Sequence, residues 1–131
     1  MKQFIITVLA LIVLMAANAQ RERIVSHDHK PMSIIGIASI YSVNLHHTKT
    51  SSGETYVHEN LTGASNHFKL HTWVKVINMR NGKSVVVRIN DHMNKKQALK
   101  GRVIDVSRSA ASELGFLSRG LTRVKIEEII R

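Results

Sequence analysis

Two polar loops carry the side chains best placed to do chemistry. The first, Ser42 to Asn60, holds His46, His47, Ser51, Ser52, Gly53 and Glu54; the second, Asp91 to Gly101, directly follows a hydrophobic run. Carboxyls that move protons work best in pairs, one neutral and one ionised, with burial and mutual repulsion separating their pKa values. Glu54 and Asp91 could form such a pair. Each also has a plainer reading, Glu54 as a solvated loop residue and Asp91 as a turn former. Residue chemistry alone leaves both open. The chain has 8 histidines, with His27/His29, His46/His47 and His67/His71 as close pairs. Histidine is the commonest metal ligand. There is no His-Glu-x-x-His, however, and the stretch around His67 to His71 does not read as a helix. Solvated loop histidines are expected, with no metal and no cofactor. The chain has no cysteine, which removes thiolate metal sites, disulfides and a cysteine nucleophile.

Charge narrows the partners. Lys and Arg number 19 against 9 Asp and Glu, a formal net charge of +10. That balance favours an anionic partner. The basic residues are scattered, with no run longer than Lys95-Lys96 and little aromatic interleaving, so nucleic acid is not expected. The N-terminus sets the compartment instead. Lys2 precedes an apolar run from Phe4 to Ala17, and Ala17-Asn18-Ala19 is an A-x-A cleavage site. Residues 1–19 are therefore expected to be a cleaved signal peptide. The run is short for a bilayer span and no cysteine follows it. The expected product is exported to the periplasm or secreted, with no stable membrane anchor, not a lipoprotein, and monomeric.

The elements that must position the loops are mostly strands. Residues 20–32 are polar and aperiodic and read as a flexible leader; 33–131 read as one domain. Ser33 to Tyr41 is a β-branched opening strand. Thr72 to Met79 and Ser84 to Asn90 flank Asn81-Gly82, the signature of a hairpin with a tight primed turn. Arg102 to Val106 is a later strand, and Leu121 to Ile130 closes the chain. The one helical stretch is Ser107 to Leu114, with Ser107 as N-cap and Gly115 as terminator. Many short strands and one short helix predict an all-β closed barrel.

The order of several motifs then resembles the rare lipoprotein A family. They are Gly36-Ile37-Ala38-Ser39-x-Tyr41, Thr50-x-x-Gly53-Glu54, Leu61-Thr62-x-Ala64, Val76-x-Asn78-x-x-Asn81-Gly82 running on to Asn90-Asp91, and Gly101-Arg102-Val103-Ile104-Asp105-Val106-Ser107-x-x-Ala110-Ala111. The resemblance implies a six-stranded double-psi β-barrel of the bacterial envelope. It implies an endolytic lytic transglycosylase, which cuts between N-acetylmuramic acid and N-acetylglucosamine in glycan strands stripped of stem peptides. The muramic 6-hydroxyl attacks, leaving 1,6-anhydro ends in cell-wall remodelling. Peptidoglycan glycan strands are the implied partner. Glu54 and Asp91 are the implied catalytic carboxylates, with Tyr41, Thr50, Ser65 and Asn90 against the substrate. The chain departs from the family where Ser65 stands for a histidine and His92-Met93-Asn94 for Arg-Gly-Pro. A non-catalytic glycan-binding module is the alternative. Tyr56 and Trp73 could stack on sugars or fill the core.

Overall fold

The computed structural model describes residues 7–15 and 29–131. The chain forms two compact units, Met1–Lys30 and Pro31–Arg131. In the first, residues 7–15 form a helix, α1, within the apolar run. The expected cleavage site at Ala17-Asn18-Ala19 and most of the expected leader lie outside the described residues. Among the described residues no helix is long and apolar enough to cross a membrane.

The second unit is built on β1 (Ser33–Ile40), β2 (Thr62–Ala64), β3 (Trp73–Asn78), β4 (Ser84–Asp91), β5 (Arg102–Val106) and β6 (Thr122–Ile129). They close into a barrel in the order β1-β5-β2-β4-β3-β6. Two pairs, β1/β5 and β2/β4, are parallel, and the other neighbours are antiparallel. This is a six-stranded double-psi barrel. Closure removes sheet edges, so every strand finds partners on both sides.

Alternation explains which side chains fill it. Val74 and Val76 of β3, Val85, Val87 and Ile89 of β4, and Val124 and Ile126 of β6 point inward and are buried. Each buried Val or Ile contributes roughly 1.5–3 kcal/mol relative to exposure. Ala110, Ala111 and Leu114 of α3 (Arg108–Leu114) join the same core. Ser107 caps α3 by accepting from Ala110 N–H, and Gly115, at φ 76°, ends it. Gly36 serves a close approach: a Cβ there would collide with the Val103 side chain on β5.

Three features depart from the expected elements. β2 is a strand of three residues, too short to show alternation, and all three are buried. Its pairing comes from β4 and β5 rather than from its own pattern. The loop after Asp91 contains a one-turn helix, α2 (Lys95–Ala98), capped by the Asn94 side chain accepting from Lys96 N–H. The β3–β4 connection is not a two-residue primed turn. Gly82 alone takes positive φ (76°), and its N–H donates to the Asn78 carbonyl at 2.8 Å. The reason is α3. Asn78 Nδ2 and Asn81 Nδ2 both donate to the Leu114 carbonyl, at 2.9 and 3.0 Å, which draws the longer loop over the helix end. At the other end of the domain, pairing reaches Met32, whose N–H donates to the Glu128 carboxylate at 3.0 Å.

Candidate active site

The site grows from one irregularity in β4. Register against β2 runs Thr62 with Arg88 and Gly63 with Ile89, then shifts so that Ala64 faces Asp91. The shift works as a bulge resetting the alternation. Ile89 and Asn90 are both buried, and Asp91 emerges half-buried beside the first polar loop. On the other side of β2, Ala64 faces Asp105 of β5, which in turn faces Ser39 of β1. One row therefore reads Ser39, Asp105, Ala64, Asp91 across four strands. Two strand spacings separate the two acids, about 10 Å between backbones. The small Ala64 side chain lies between them.

These residues line a cleft of about 290 Å³, with Tyr41, Ser42, His92, Met93, Asn94 and Arg102 among its walls. Tyr41 donates to Asp91 Oδ2 at 2.6 Å. Its ring stacks on the fully buried Tyr56, centroids 4.0 Å apart. Tyr56, Ala64 and Met93 form a small apolar cluster with Tyr41 beneath the cleft. Tyr56 is thus a support, not a sugar platform. Trp73 is half-buried on β3 with the Arg131 guanidinium 4.4 Å over its ring.

Asp91 is wrapped in donors. Ser51 N–H, Ser51 Oγ and His92 N–H reach Oδ1 at 2.9, 2.7 and 2.9 Å. Burial pushes its pKa up, but these bonds and that from Tyr41 outweigh burial and hold the carboxyl below its ordinary range. Burial, then the hydrogen bond to Asp91 and its negative charge, keep the Tyr41 hydroxyl protonated. Asp105 goes the other way. Burial raises its pKa, opposed by the hydrogen bond from Ser39 Oγ and the charge of Arg102, while the charge of Asp91 adds to the rise. The cleft therefore holds two carboxyls whose pKa values are pushed apart, Asp91 downwards and Asp105 upwards.

Glu54 lies outside that lining. Arg88 of β4 grips it with both guanidinium nitrogens, Nη1 to Oε1 at 2.7 Å and Nη2 to Oε2 at 2.5 Å. That bidentate hydrogen bond lowers its pKa against the opposing effect of burial, helped by Ser52 and His71. Glu54 and Asp91 are both held as anions, so they are not separated in pKa in the way the sequence reading expected. The Ser51-Ser52 pair connects them, Ser51 on Asp91 and Ser52 Oγ 3.3 Å from Glu54.

The other expected substrate contacts are inward parts of the frame. Thr50 donates to the Glu54 carbonyl at 2.9 Å and closes the loop on itself. Ser65 is fully buried and donates to the Val103 carbonyl at 2.8 Å. Asn90 is buried, and its carbonyl accepts from Ser52 N–H. The cleft's imidazole belongs to His92, whose Nδ1 lies 3.2 Å from the Ser65 carbonyl. Asn66 holds the loop after Asp91 by reciprocal bonds with the Met93 backbone, at 3.0 and 2.8 Å. His46 and His58 stack at 4.3 Å, and His46 Nδ1 accepts from His58 N–H. Among the described residues no three His, Asp or Glu side chains converge as metal ligands. Sequence reasoning gave Asp105 no role because it stood inside a strand. The available signal was a carboxyl in an otherwise apolar stretch, which burial makes costly without partners.

Fold and site together define a double-psi β-barrel with an acidic cleft between parallel strand pairs. The family model described as lytic transglycolase matches residues 33–126. The chain belongs to that family. It is 43% identical over 99 residues to an endolytic peptidoglycan transglycosylase RlpA of Neisseria meningitidis, covering 72% of this chain and 38% of the relative. A Pseudomonas aeruginosa protein of the same name is 40% identical over 103 residues, covering 79% of this chain and 29% of that protein. The chain thus spans well under half the length of these relatives. Among solved structures, a Clavibacter michiganensis expansin mutant in complex with cellohexaose is similar at TM-score 0.58 and 18% identity, covering 76% of this chain and 51% of that one. Streptomyces papain inhibitor matches at TM-score 0.60 and 16% identity, covering 76% and 96%. At such identities these two speak for the fold alone.

Proposed function

We propose that this protein is an endolytic lytic transglycosylase that cuts peptidoglycan glycan strands between N-acetylmuramic acid and N-acetylglucosamine. The observation that carries the reading is the Asp91–Asp105 pair, two carboxyls in a single cleft on either side of Ala64 with pKa values shifted in opposite directions. Asp105 gives its proton to the leaving glycosidic oxygen as the C1–O bond breaks. Asp91 faces the positive charge growing at C1 and takes the proton of the muramic 6-hydroxyl. A new C1–O6 bond closes the 1,6-anhydro ring, and no water is consumed. The two protons balance: Asp105 loses one and Asp91 gains one, and exchange with solvent resets them. Tyr41 holds Asp91, and the Glu54–Arg88 pair holds the loop that supplies Ser51.

Names of the relatives and the order of motifs support the wall glycan as substrate. The apolar run and A-x-A site of the N-terminus support export, with the action outside the inner membrane. The test is mass spectrometry of glycan strands after incubation with wild type, Asp105→Asn and Asp91→Asn. Wild type should release 1,6-anhydro ends, and each variant should release none while still binding sacculi. Sacculus binding by wild type without anhydro ends at any pH would replace this reading with the glycan-binding module.

A further inference from the structure

A second and larger concavity, of about 960 Å³, lies across β5, β1 and β6. Arg80, Lys100, Arg102, Arg119 and Arg123 line it over a floor of Ile37, Met79 and Leu121, with no acid among the lining residues. None of these cations is in an ion pair among the described residues. Strand register builds the face around it, because directly paired residues project to the same side. One row reads Arg102 of β5, Ile37 of β1 and Arg123 of β6, whose carbonyl accepts from Met79 N–H at 2.9 Å. The next row reads Ile35 of β1, Lys125 of β6 and Ile77 of β3. An apolar strand face thus lies beside a basic one, and Ile35, Met79 and Leu121 stay exposed. Leu99, the residue before Lys100, is 87% exposed. Single exposed apolar side chains are ordinary, but a group of them set among cations is not.

Charge and apolar surface together select the partner. A second copy of this chain would bring like charges together, since the formal net charge is +10. A soluble polyanion would meet the cations and leave Ile35, Met79, Leu99 and Leu121 in water. A bilayer with anionic headgroups answers both features: its phosphates sit level with the guanidinium groups, and its apolar interface lies just beneath them. Arginine suits that level, because its planar fork binds phosphate oxygens in pairs while its stem runs along apolar surface. We propose that this face of the barrel docks reversibly on the surface of an anionic phospholipid bilayer. The docking goes beyond the cutting reading and does not depend on it. Arg102 also lines the acidic cleft, so the two concavities share a wall and a docked barrel presents its cleft beside the bilayer.

Vesicle co-sedimentation tests this with the chain from Gln20 onward, the expected exported product, because the apolar run before it would bind lipid by itself. The barrel and its whole core lie within that part. Vesicles of equal parts phosphatidylglycerol and phosphatidylcholine should bind about a hundredfold more tightly than phosphatidylcholine alone at low salt, each cation near such a surface contributing roughly fivefold. The preference should vanish near 1 M salt, where the screening length is about 3 Å. Arg119→Gln with Arg123→Gln should weaken binding to the mixed vesicles about twentyfold. The charge-matched pair Lys49→Gln with Lys69→Gln, outside this lining, should cost far less. Leu99→Ser with Leu121→Ser, at exposed side chains, should weaken vesicle binding severalfold and leave binding of inorganic polyphosphate unchanged. No binding to the mixed vesicles, equal binding to both kinds, or equal losses in the two charge-matched pairs would overturn the docking face. So would polyphosphate binding as tight as vesicle binding with both indifferent to the leucine changes, which would mark a polyanion site. If the arginine pair fails to fold, the lipid comparison in wild type and the leucine variant decide. Anhydro ends without vesicle binding would sink the docking face and leave the cutting reading standing; vesicle binding without anhydro ends would do the reverse.

Discussion

Asp91 and Asp105 face the same residue, Ala64, from opposite sides of β2, and their pKa values are shifted in opposite directions. The difference has a local cause. Asp91 emerges after a bulge, where the Ser51 hydroxyl, two backbone N–H groups and the Tyr41 phenol converge on it. Asp105 sits in regular strand with Ser39 and the charge of Arg102 as its stabilisers, and burial wins. The negative charge of Asp91 reinforces the contrast. An acid and a base separated in this way are what a glycosidic bond cleavage needs.

The pH profile should carry both signatures. Cutting requires Asp91 ionised and Asp105 protonated. Its rate should fall on the acid side below the ordinary aspartate range, and on the alkaline side above that range. Asp105→Asn should abolish cutting and also stabilise the fold at neutral pH. The sign follows from linkage: a raised folded pKa gives stability that is full below the unfolded pKa and is lost as pH rises through the folded one. Thermal melts at pH 7 and pH 3 check it. The variant should gain over wild type at pH 7 and lose that gain at pH 3.

Tyr41→Phe should destabilise the protein by about 1–2 kcal/mol at neutral pH, since it removes a hydrogen bond to a half-buried carboxylate. The folded pKa of Asp91 is depressed, so its contribution is present above the unfolded pKa and is lost as pH falls through the folded one. Without the phenol that folded pKa rises, and acid destabilisation should begin at a higher pH. Urea unfolding from pH 7 down to pH 2 reads both effects. An unchanged acid limb would mean that Ser51 and His92 suffice.

The long elements were legible because their patterns are local. Asn81-Gly82 between two β-branched runs marked the hairpin of β3 and β4, and Ser107 and Gly115 marked both ends of α3. β2 was not legible as a strand, because three residues show no period and its burial depends on neighbours distant in sequence. The same holds at the site. Asp91 stood at a strand end next to a polar loop and drew attention. Asp105 acquired meaning only when barrel closure set it beside Ala64. Arg88 stood inside an expected strand with no role of its own, and its grip on Glu54 spans 34 positions in sequence. Ser65 and Asn90 looked like site residues from their motif positions, but closure turned both inward.

Glu54→Gln tests a positioning role. The carboxylate side chain is 38% exposed, so its pair with Arg88 is screened and its loss should cost under about 1 kcal/mol of stability. The larger effect should appear at Asp91. A looser Ser51-Ser52 turn weakens two donors to that carboxylate, and its pKa rises. The acid limb of the rate profile should move to higher pH, with the alkaline limb in place. If Glu54→Gln abolishes cutting at every pH, Glu54 acts on the substrate directly.

Asn78→Ala should be among the most damaging single changes outside the cleft. The side chain is 1% exposed, and all its polar atoms are engaged. Nδ2 donates to the Leu114 carbonyl at 2.9 Å, and Oδ1 accepts from Arg80 N–H at 3.0 Å and Thr122 Oγ1 at 2.8 Å. Truncation leaves a buried hydroxyl without its acceptor and weakens the tie between hairpin and helix. A cost of about 2–3 kcal/mol follows. Asn78→Asp should be worse still, because it sets an anionic oxygen against the Leu114 carbonyl where a donor stood. Guanidinium unfolding curves at pH 7 give the ranking. If Asn78→Asp proves the milder change, the bond to Leu114 is not what ties α3 to the barrel.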